Sequence, residues 1–519
     1  MNPSARRLVL VVLPVWALGG CVNSYLRLAP PSPSEPVIPV PAGQEHAGTP
    51  RSTSLEPRAG GLVDEDAAIQ EGRRYGLREL VELAAANNPE TRIVWERARE
   101  AALAVGVAHS SYFPTVSAVA LGGYQHSEFP GSAVAPGVTV IGQEFLPGIT
   151  VPGPLRGASG RVGVDTFEVL PFVAVRWHAL DFSRGPTVTA AEQTSVAANM
   201  LFVGEHQKLL FQVAKTFFLL SAARAQVGVA REALDRTRTI AQSAEARFGR
   251  GLSTSVEVAE GRREVAQAEY GLVEARAAEK TAKSALLTAM GVDPRVALDV
   301  ETVSSHPMAE SLRDPVDGYL NTALASRPDL RTAEAHAAGA AAQEDHAVST
   351  YFPRVSLTGT GGAQILGTKL GDSSFNTLTV PTVTALVGLE WRLFDGGARE
   401  IGAEIARARR QEAELETRKL RNVAAQEVLS AYDAANAALA RYRAAQALER
   451  TAAVADDATA RSYQHGLSTL ADAASAQKAH FLASAAKERN YAEARIAATA
   501  LTFAAGQLRG VAAIPDPAP

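Results

Sequence analysis

Two spacings of hydrophobic residues divide most of this sequence into strands and long helices. Over residues 382–393 apolar and polar side chains alternate, with Val383, Val387 and Trp391 on one face. A period of two predicts a β-strand. A spacing of three and four residues runs through 210–234 and again through 428–442, with charged residues on the other faces. That spacing predicts helices packed along apolar seams, as in coiled coils.

Applied along the whole chain, these spacings predict the same order of elements twice. The predicted strands are about 112–127, 161–180, 351–364 and 380–394; the predicted long helices are about 186–248, 252–290, 397–463 and 468–509, with shorter helices about 315–349. At 1.5 Å per residue, the two longest helices each span roughly 90–100 Å. This length exceeds that of an ordinary globular domain.

Short sequence landmarks recur in the same order, which indicates an internal duplication. The matched landmarks include Tyr112-Phe113-Pro114 with Tyr351-Phe352-Pro353, Trp177 to Asp181 with Trp391 to Asp395, and Phe248-x-x-Gly251 with Tyr463-x-x-Gly466. We therefore expect a first repeat over residues 61–292 and a second over 293–510, followed by a C-terminal tail at 511–519.

The predicted strands have one apolar and one polar face, which suits either a soluble sandwich or a barrel wall around a polar lumen. Four strands cannot close around a water-filled lumen, whereas three chains contributing four strands each could. We expect a mainly α fold with a β-barrel, internally duplicated, with four strands and long coiled-coil helices in each chain.

The N-terminus has the pattern of a lipoprotein signal. Residues 1–20 contain Arg6, Arg7 and a short apolar run, and Leu18-Gly19-Gly20-Cys21 resembles a bacterial lipobox. A lipobox cysteine receives a diacylglycerol and then an N-acyl chain, so we expect this covalent lipid on Cys21. The alternative is a plain signal peptide with an incidental cysteine. Residues 21–60 are rich in proline and predict an extended or disordered tether.

Composition and motifs argue against catalysis. The net charge of −4 does not favour nucleic-acid binding. Cys21 is the one cysteine in the sequence. The sequence contains no phosphate-binding loop and no His-Glu-x-x-His zinc motif, and its ten histidines are scattered. We therefore expect no enzyme activity, no catalytic residue, no metal and no cofactor beyond the lipid. Asp181 and Asp395 end their strands and are expected to cap the following helices.

The ordered motifs resemble those of the TolC-type outer-membrane efflux proteins, and most closely those of the lipidated branch. They are the lipobox, Leu80 to Pro89, the paired Tyr-Phe-Pro sequences, Trp391 to Gly397 and Tyr463-x-x-Gly466. The resemblance covers about residues 75–510. It implies a homotrimer with a 12-strand barrel in the outer membrane and a 12-helix tunnel in the periplasm. Members that export drugs, metals or proteins share one duct, so the sequence does not distinguish these substrates.

The resemblance also implies how the duct works. A passive channel of this kind, in a tripartite efflux or type I secretion system, receives substrate from an inner-membrane pump, here of the RND type, through a periplasmic adaptor. The adaptor would dock on the two helix turns, at Gly251, Leu252, Ser253, Thr254, Gly466, Leu467, Ser468 and Thr469. The periplasmic gate would comprise Glu257, Asp472, Phe248 and Tyr463. The alternative for the two acids is that they are ordinary solvated helix charges.

A function of another class is a structural coiled-coil lipoprotein of the envelope, either a spacer or an adaptor. An adaptor should contain a small flanking β-domain, which the sequence does not predict. A spacer would not require four amphipathic strands in two matched hairpins. The exit duct therefore accounts for more of the sequence.

Overall fold

The computed structural model describes residues 25–34, 69, 72–130, 138–139, 150–151, 161–301, 308, 312, 314–370 and 374–508. Its chain forms two compact units. The helical unit comprises Met1–Gly106, Thr189–Ala341 and Arg407–Pro519; the strand unit comprises Val107–Val188 and Ala342–Ala406.

The elements follow one another in an order that repeats once along the chain. In the first part they are β1 Arg74–Tyr75, α1 Leu77–Asn87, α2 Pro89–Ser110, β2 Thr115–Pro130, β3 Val138–Thr139, β4 Thr150–Val151, β5 Arg161–Leu180, α3 Arg184–Phe248 and α4 Ser255–Met290. In the second part they are β6 Asp299–Val300, α5 Val316–Ser326, α6 Pro328–Ser349, β7 Arg354–Leu370, β8 Asn376–Glu390, α7 Ala398–Gln464 and α8 Leu470–Ala504. This is the mainly helical, duplicated fold with four long strands that the sequence predicts.

The four long strands form one antiparallel sheet in the order β2-β5-β7-β8. The two repeats meet where β5 pairs with β7, with Val175 opposite Gly359. Within each repeat the two strands form a hairpin, in which Thr115 lies opposite Arg176 and Arg354 lies opposite Glu390. In the described part of the chain, β2 and β8 therefore each have one unpaired edge.

Strands β2 and β7 begin three residues later than the sequence patterns indicate, whereas β5 begins as predicted and β8 begins earlier. Tyr112 and Tyr351, expected as strand residues, lie in turns whose N–H groups bond back to the preceding helices α2 and α6. Strands β2 and β7 begin directly after Pro114 and Pro353, because proline has no N–H to give to a sheet. With no β7 partner before residue 354, β8 ends at Glu390.

Trp391 and Leu393 therefore lie outside the strand over 380–394 in which we expected them. The Trp391 indole N–H instead donates to the Tyr351 carbonyl over 3.1 Å. Trp177 makes the equivalent bond to the Tyr112 carbonyl over 2.9 Å, although β5 continues to Leu180.

The helical unit buries the predicted seams. From α3, Leu210, Val213, Phe217 and Leu220 are almost fully buried in a core with residues of α1 and α4. The α7 seam is buried in two smaller clusters, through Val428 and Leu439. The small alanines in these seams, such as Ala435 and Ala438, permit close approach of helix backbones.

A proline and a glycine determine two of the helix ends. The segment 315–349 divides at Arg327, whose backbone is extended because Pro328 follows it. The helix expected to reach residue 509 ends at Ala504, shortly before Gly506, which has a φ of +67°. Within the described residues, no helix has both the length and the apolar character needed to cross a bilayer.

Candidate functional site

Two short turns connect the long helices in pairs. The first tip, residues 248–254, joins α3 to α4, and the second tip, residues 463–469, joins α7 to α8. Gly251 and Gly466 have φ angles of +74° and +77°. Side chains rarely tolerate this left-handed region, so the two glycines permit the reversal of direction.

Both tips use the same hydrogen bonds to end the incoming helix. In the first tip Leu252 N–H donates to Arg247 O over 2.9 Å, and Gly251 N–H donates to Phe248 O over 2.9 Å. The second tip repeats these bonds from Leu467 to Ser462 and from Gly466 to Tyr463, over 2.8 and 3.0 Å. This is a Schellman motif, which satisfies the last carbonyls of the helix. The tips are therefore built as rigid, matched turns.

Glu257 and Asp472, the predicted gate acids, lie at the third position of the outgoing helices and take part in their capping. The Thr254 hydroxyl accepts the Glu257 N–H over 3.2 Å, and the Thr469 hydroxyl accepts the Asp472 N–H over 3.1 Å. Asp472 Oδ2 in turn accepts the Thr469 N–H over 3.1 Å. Such reciprocal bonds satisfy free amides at a helix start.

These bonds determine the ionisation of Asp472. The hydroxyl and the N–H of Thr469 both donate to its carboxylate and hold the pKa of Asp472 below the ordinary 3.8. Glu257 accepts a hydrogen bond from the Ser253 hydroxyl. In a single chain, each acid thus has a local structural role in its own tip.

Tyr463 is the residue that joins the two tips. Its side chain is 1% exposed and packs with Ala244, Leu470 and Ala473. The Arg247 guanidinium lies 5.1 Å from the centre of the Tyr463 ring, and Arg247 Nη1 donates to Tyr463 O over 2.7 Å. Burial, together with the charge of Glu257, raises the pKa of Tyr463 above 10.0 against the opposing effect of Arg247. The ring is therefore neutral at physiological pH.

The apolar side chains at the tips differ in exposure. Phe248, the other aromatic of the predicted gate, is 49% exposed, in contrast to the buried Tyr463. Leu252 is 65% exposed and Leu467 is 82% exposed. Each tip thus presents one leucine to solvent at the same position of a rigid turn.

A second contact between the helix pairs escaped the sequence analysis. Asp456 of α7 is 2% exposed, and its Oδ2 atom lies 3.0 Å from Arg236 Nη1 of α3 and 2.9 Å from His480 Nδ1 of α8. Burial opposes the charge of Arg236, but its bonds to Glu232 and the attraction of Asp456 outweigh burial and raise its pKa above the ordinary arginine value. We call Arg236, Asp456 and His480 the inter-hairpin cluster.

Periodicity contains a signal for this cluster. Continuing the α7 seam from Tyr442 in steps of seven residues leads to Glu449, Asp456 and Tyr463. A carboxylate at a seam position is buried when the seam packs, and a buried carboxylate needs a partner.

Asp181 and Asp395 bond to the chain just after the strand unit's second and fourth long strands. Asp181 accepts the Ser183 N–H over 3.0 Å and pairs with Arg354 at 3.0 Å. Asp395 pairs with Arg399 at 2.7 Å. These contacts fix the chain between a strand and the helix that follows it.

Residues 25–34, which we call the docked segment, pack on the helical unit. The Trp95 indole donates to Pro30 O over 2.9 Å, and Asn199 Nδ2 donates to Leu28 O over 2.7 Å. A Cβ placed on Gly106 would come 2.7 Å from the Tyr25 ring, so the glycine permits this close packing. Two carbonyls of these ten residues thus accept bonds from helix side chains, and Leu26–Leu28 form a short 3-10 helix. The extended or disordered tether over residues 21–60 stays a prediction. Cys21 lies outside the described residues.

Groups that could bind a metal ion are not present: within the described ranges, no three His, Cys, Asp or Glu side chains converge as a ligand set.

The chain matches the model for outer membrane efflux proteins over residues 80–292 and 319–507. It is similar to protein CyaE of Bordetella pertussis, with 26% identity over 515 residues that cover 97% of this chain and 96% of CyaE. It is also similar to outer membrane protein OprJ of Pseudomonas aeruginosa, with 24% identity over 421 residues and 78% of each chain covered.

Solved channel structures share the fold. The CmeC outer membrane channel of Campylobacter jejuni has a TM-score of 0.66 at 17% identity, with 83% of this chain and 85% of CmeC covered. The open state of the MtrE channel of Neisseria gonorrhoeae has a TM-score of 0.63 at 19% identity, with 83% and 89% covered. The match of the family model to most of the sequence decides the assignment: the chain belongs to the outer membrane efflux protein family, whose members are non-enzymatic channels.

Proposed function

We propose that three copies of this outer-membrane efflux protein form one passive exit duct. The observation that carries the proposal is the four-stranded sheet with one unpaired edge on β2 and one on β8. Hydrocarbon offers no partner to unpaired N–H and C=O groups, so a membrane-spanning sheet must close. Twelve strands from three chains can close around water, whereas four cannot. The long helices would then form the periplasmic tunnel.

The closed form of the duct would be controlled at the tips. Three-fold symmetry would bring three copies each of Glu257 and Asp472 to one opening, and six carboxylates attract cations and repel one another. We propose Tyr463 and Phe248 as the aromatic residues of the same constriction. The double variant Glu257→Ala with Asp472→Ala should increase the single-channel conductance in a planar bilayer. Unchanged conductance would show that these acids do not control the gate.

The exposed leucines support adaptor docking at the tips. Leu252 and Leu467 offer two apolar side chains on rigid turns, framed by the polar Ser253 and Thr254 and their counterparts Ser468 and Thr469. We propose that a periplasmic adaptor binds there and transmits the work of an inner-membrane pump, here of the RND type. A photo-crosslinking amino acid at Leu467 should capture the adaptor in cells. Tyr270, exposed in the middle of α4, is the matched control position and should capture less.

We also propose that Cys21 carries the lipid. Tyr25 is the fourth residue after Cys21, and four residue steps of extended chain span at most about 14 Å. A lipid on Cys21 would therefore hold Tyr25 and the docked segment close to the membrane surface. Radiolabelled palmitate should enter the wild type but not Cys21→Ser. Because the barrel itself anchors the trimer, Cys21→Ser should slow assembly while leaving transport by correctly inserted trimers intact.

One experiment separates the duct from the coiled-coil spacer. The purified protein should migrate as a trimer that heat dissociates, and the trimer should release a small dye from liposomes. A spacer lipoprotein would release no dye, whatever its oligomeric state.

A further inference from the structure

Each residue of one strand hairpin has a counterpart in the other. Tyr112, before β2, precedes Tyr351, before β7, by 239 residues, and Trp177 of β5 precedes Trp391, after β8, by 214. Both tryptophans donate to the carbonyl of the tyrosine in their own repeat. Strand β7 is thus the counterpart of β2, and β8 is the counterpart of β5.

The observed pairing follows these offsets. In the first hairpin Thr115 lies opposite Arg176, and the offsets carry this pair to Arg354 and Glu390. Those two residues lie opposite each other in the second hairpin. A slip of one residue would turn every side chain of a strand to the other face of the sheet. The two hairpins therefore agree in register as well as in sequence.

The junction between the hairpins has a counterpart at the free edges of the sheet. Strand β5 pairs antiparallel with β7, with Val175 opposite Gly359. Their counterparts, β8 and β2, are the two edge strands and also run in opposite directions. We propose that β8 of one copy pairs with β2 of the next in the register of β5 with β7, which places Leu389 opposite Ala120. The inference rests on the proposed barrel of three chains and specifies how its copies join.

The faces of the sheet agree with this register. Directly opposite residues point to the same face. Ser117, Ala174, Thr360 and Thr384 lie opposite one another in succession across the four strands. Gln125 follows Ser117 by an even number of residues on β2, so it shares their face. The proposed register places Thr384 opposite Gln125 and so joins like faces, whereas a one-residue slip would join the polar face to the apolar one.

The same register accounts for the residues that follow β8. At the junction within the chain, β5 continues to Leu180, which pairs with Val355 across a register shift. The counterparts of this pair are Phe394 of one copy and Val116 of the next. Strand β8 stops four residues before Phe394, although the alternation of apolar and polar side chains continues beyond its end. Pairing with the next copy therefore extends β8 through residues 391–394.

Disulfide formation in assembled trimers tests the register. Thr384→Cys with Gln125→Cys should give covalent trimers after mild oxidation, because opposite residues have Cα atoms about 4.5–5.5 Å apart, within reach of a disulfide. Strands β5 and β7 separate the two positions within one chain, so the bond must join two copies. Gly123→Cys and Ser127→Cys, each combined with Thr384→Cys, are the matched controls. They shift the position by about 6.8 Å on the same face and should give at least about tenfold less covalent trimer.

A second pair tests the extension of β8. Arg392→Cys with Ser117→Cys, the counterparts of His178 and Ser356, should also link the copies, whereas Arg392→Cys with Val119→Cys should not. Failure of this pair beside a successful first pair would overturn the extension.

The remaining outcomes separate the register from the duct. Single-cysteine variants, measured in parallel, show any bond that Cys21 makes. Conducting trimers that link best through a shifted pair, or through none of the pairs, would overturn the inference while the duct stands. A wild-type chain that neither forms a trimer nor conducts would overturn the duct itself.

Discussion

The Arg247 side chain, which directly precedes the first tip, bonds to Tyr463 of the second tip, and its removal should loosen the contact between the tips. Its guanidinium bonds to the Tyr463 carbonyl at 2.7 Å and lies 5.1 Å from the ring centre. A hydrogen bond from a charged group contributes about 1.5–3 kcal/mol and a cation–π contact about 0.5–1 kcal/mol. Arg247→Ala should therefore destabilise the joined tips by about 2–4 kcal/mol in each protomer, or about 30- to 900-fold in the equilibrium for separation.

Conductance measures this change directly. Trimers of Arg247→Ala should conduct more than the wild type in planar bilayers and should release larger dyes from liposomes. Arg250→Ala is the matched control, because it removes the same charge three residues along the chain. Among the described residues, the Arg250 guanidinium donates to the Ala246 carbonyl of α3 and to no other group. Equal conductance in Arg247→Ala and the wild type would show that this contact does not restrain the tips.

Three further predictions concern stability and packing. Gly466→Ala should destabilise the second tip by about 1–2 kcal/mol, because a φ of +77° is unfavourable for alanine. The control is Gly402→Ala, which adds a methyl group to a helix at a position with open space and should not lower the Tm. An equal fall in Tm for both variants would contradict the prediction. Trp95→Phe removes the indole N–H that donates to the Pro30 carbonyl, so it should weaken docking of the segment by about 1 kcal/mol and accelerate its cleavage by trypsin. An unchanged cleavage rate would show that this bond does not hold the docked segment. Thr469 holds the pKa of Asp472 below 3.8, so the contribution of this carboxylate to folding stability is present above about pH 3.8 and is lost as the pH falls further. Asp472→Asn should therefore flatten the acidic part of the Tm–pH curve. An unchanged slope would contradict this prediction.

The sequence predicts the fold well because its signals are local and appear twice. Alternation and three-four spacing depend only on neighbouring residues, and the second copy of each landmark supports the first. Strand ends were predicted less well. The position of β8 depends on Pro353, which lies far away in the sequence and delays the start of its partner strand.

The site was predicted in part. The glycines and threonines of the tips have recognisable turn chemistry, so their sequence indicates their position. The docked segment bonds through the carbonyls of Leu28 and Pro30, and a backbone carbonyl leaves no trace in the sequence. The inter-hairpin cluster draws its three residues from three helices, so the periodicity of α7 indicates Asp456 but not its partners Arg236 and His480. The orientation of Glu257 and Asp472 within a trimer stays a prediction.

The unpaired edges of β2 and β8 also bear on the order of events during biogenesis. A single chain placed in hydrocarbon would leave two rows of backbone groups without partners, at several kcal/mol for each group. Insertion of lone chains is therefore too costly to precede assembly. The rate of membrane insertion should therefore rise more steeply than linearly with chain concentration. This is the behaviour expected when several chains must associate before any of them inserts into the bilayer.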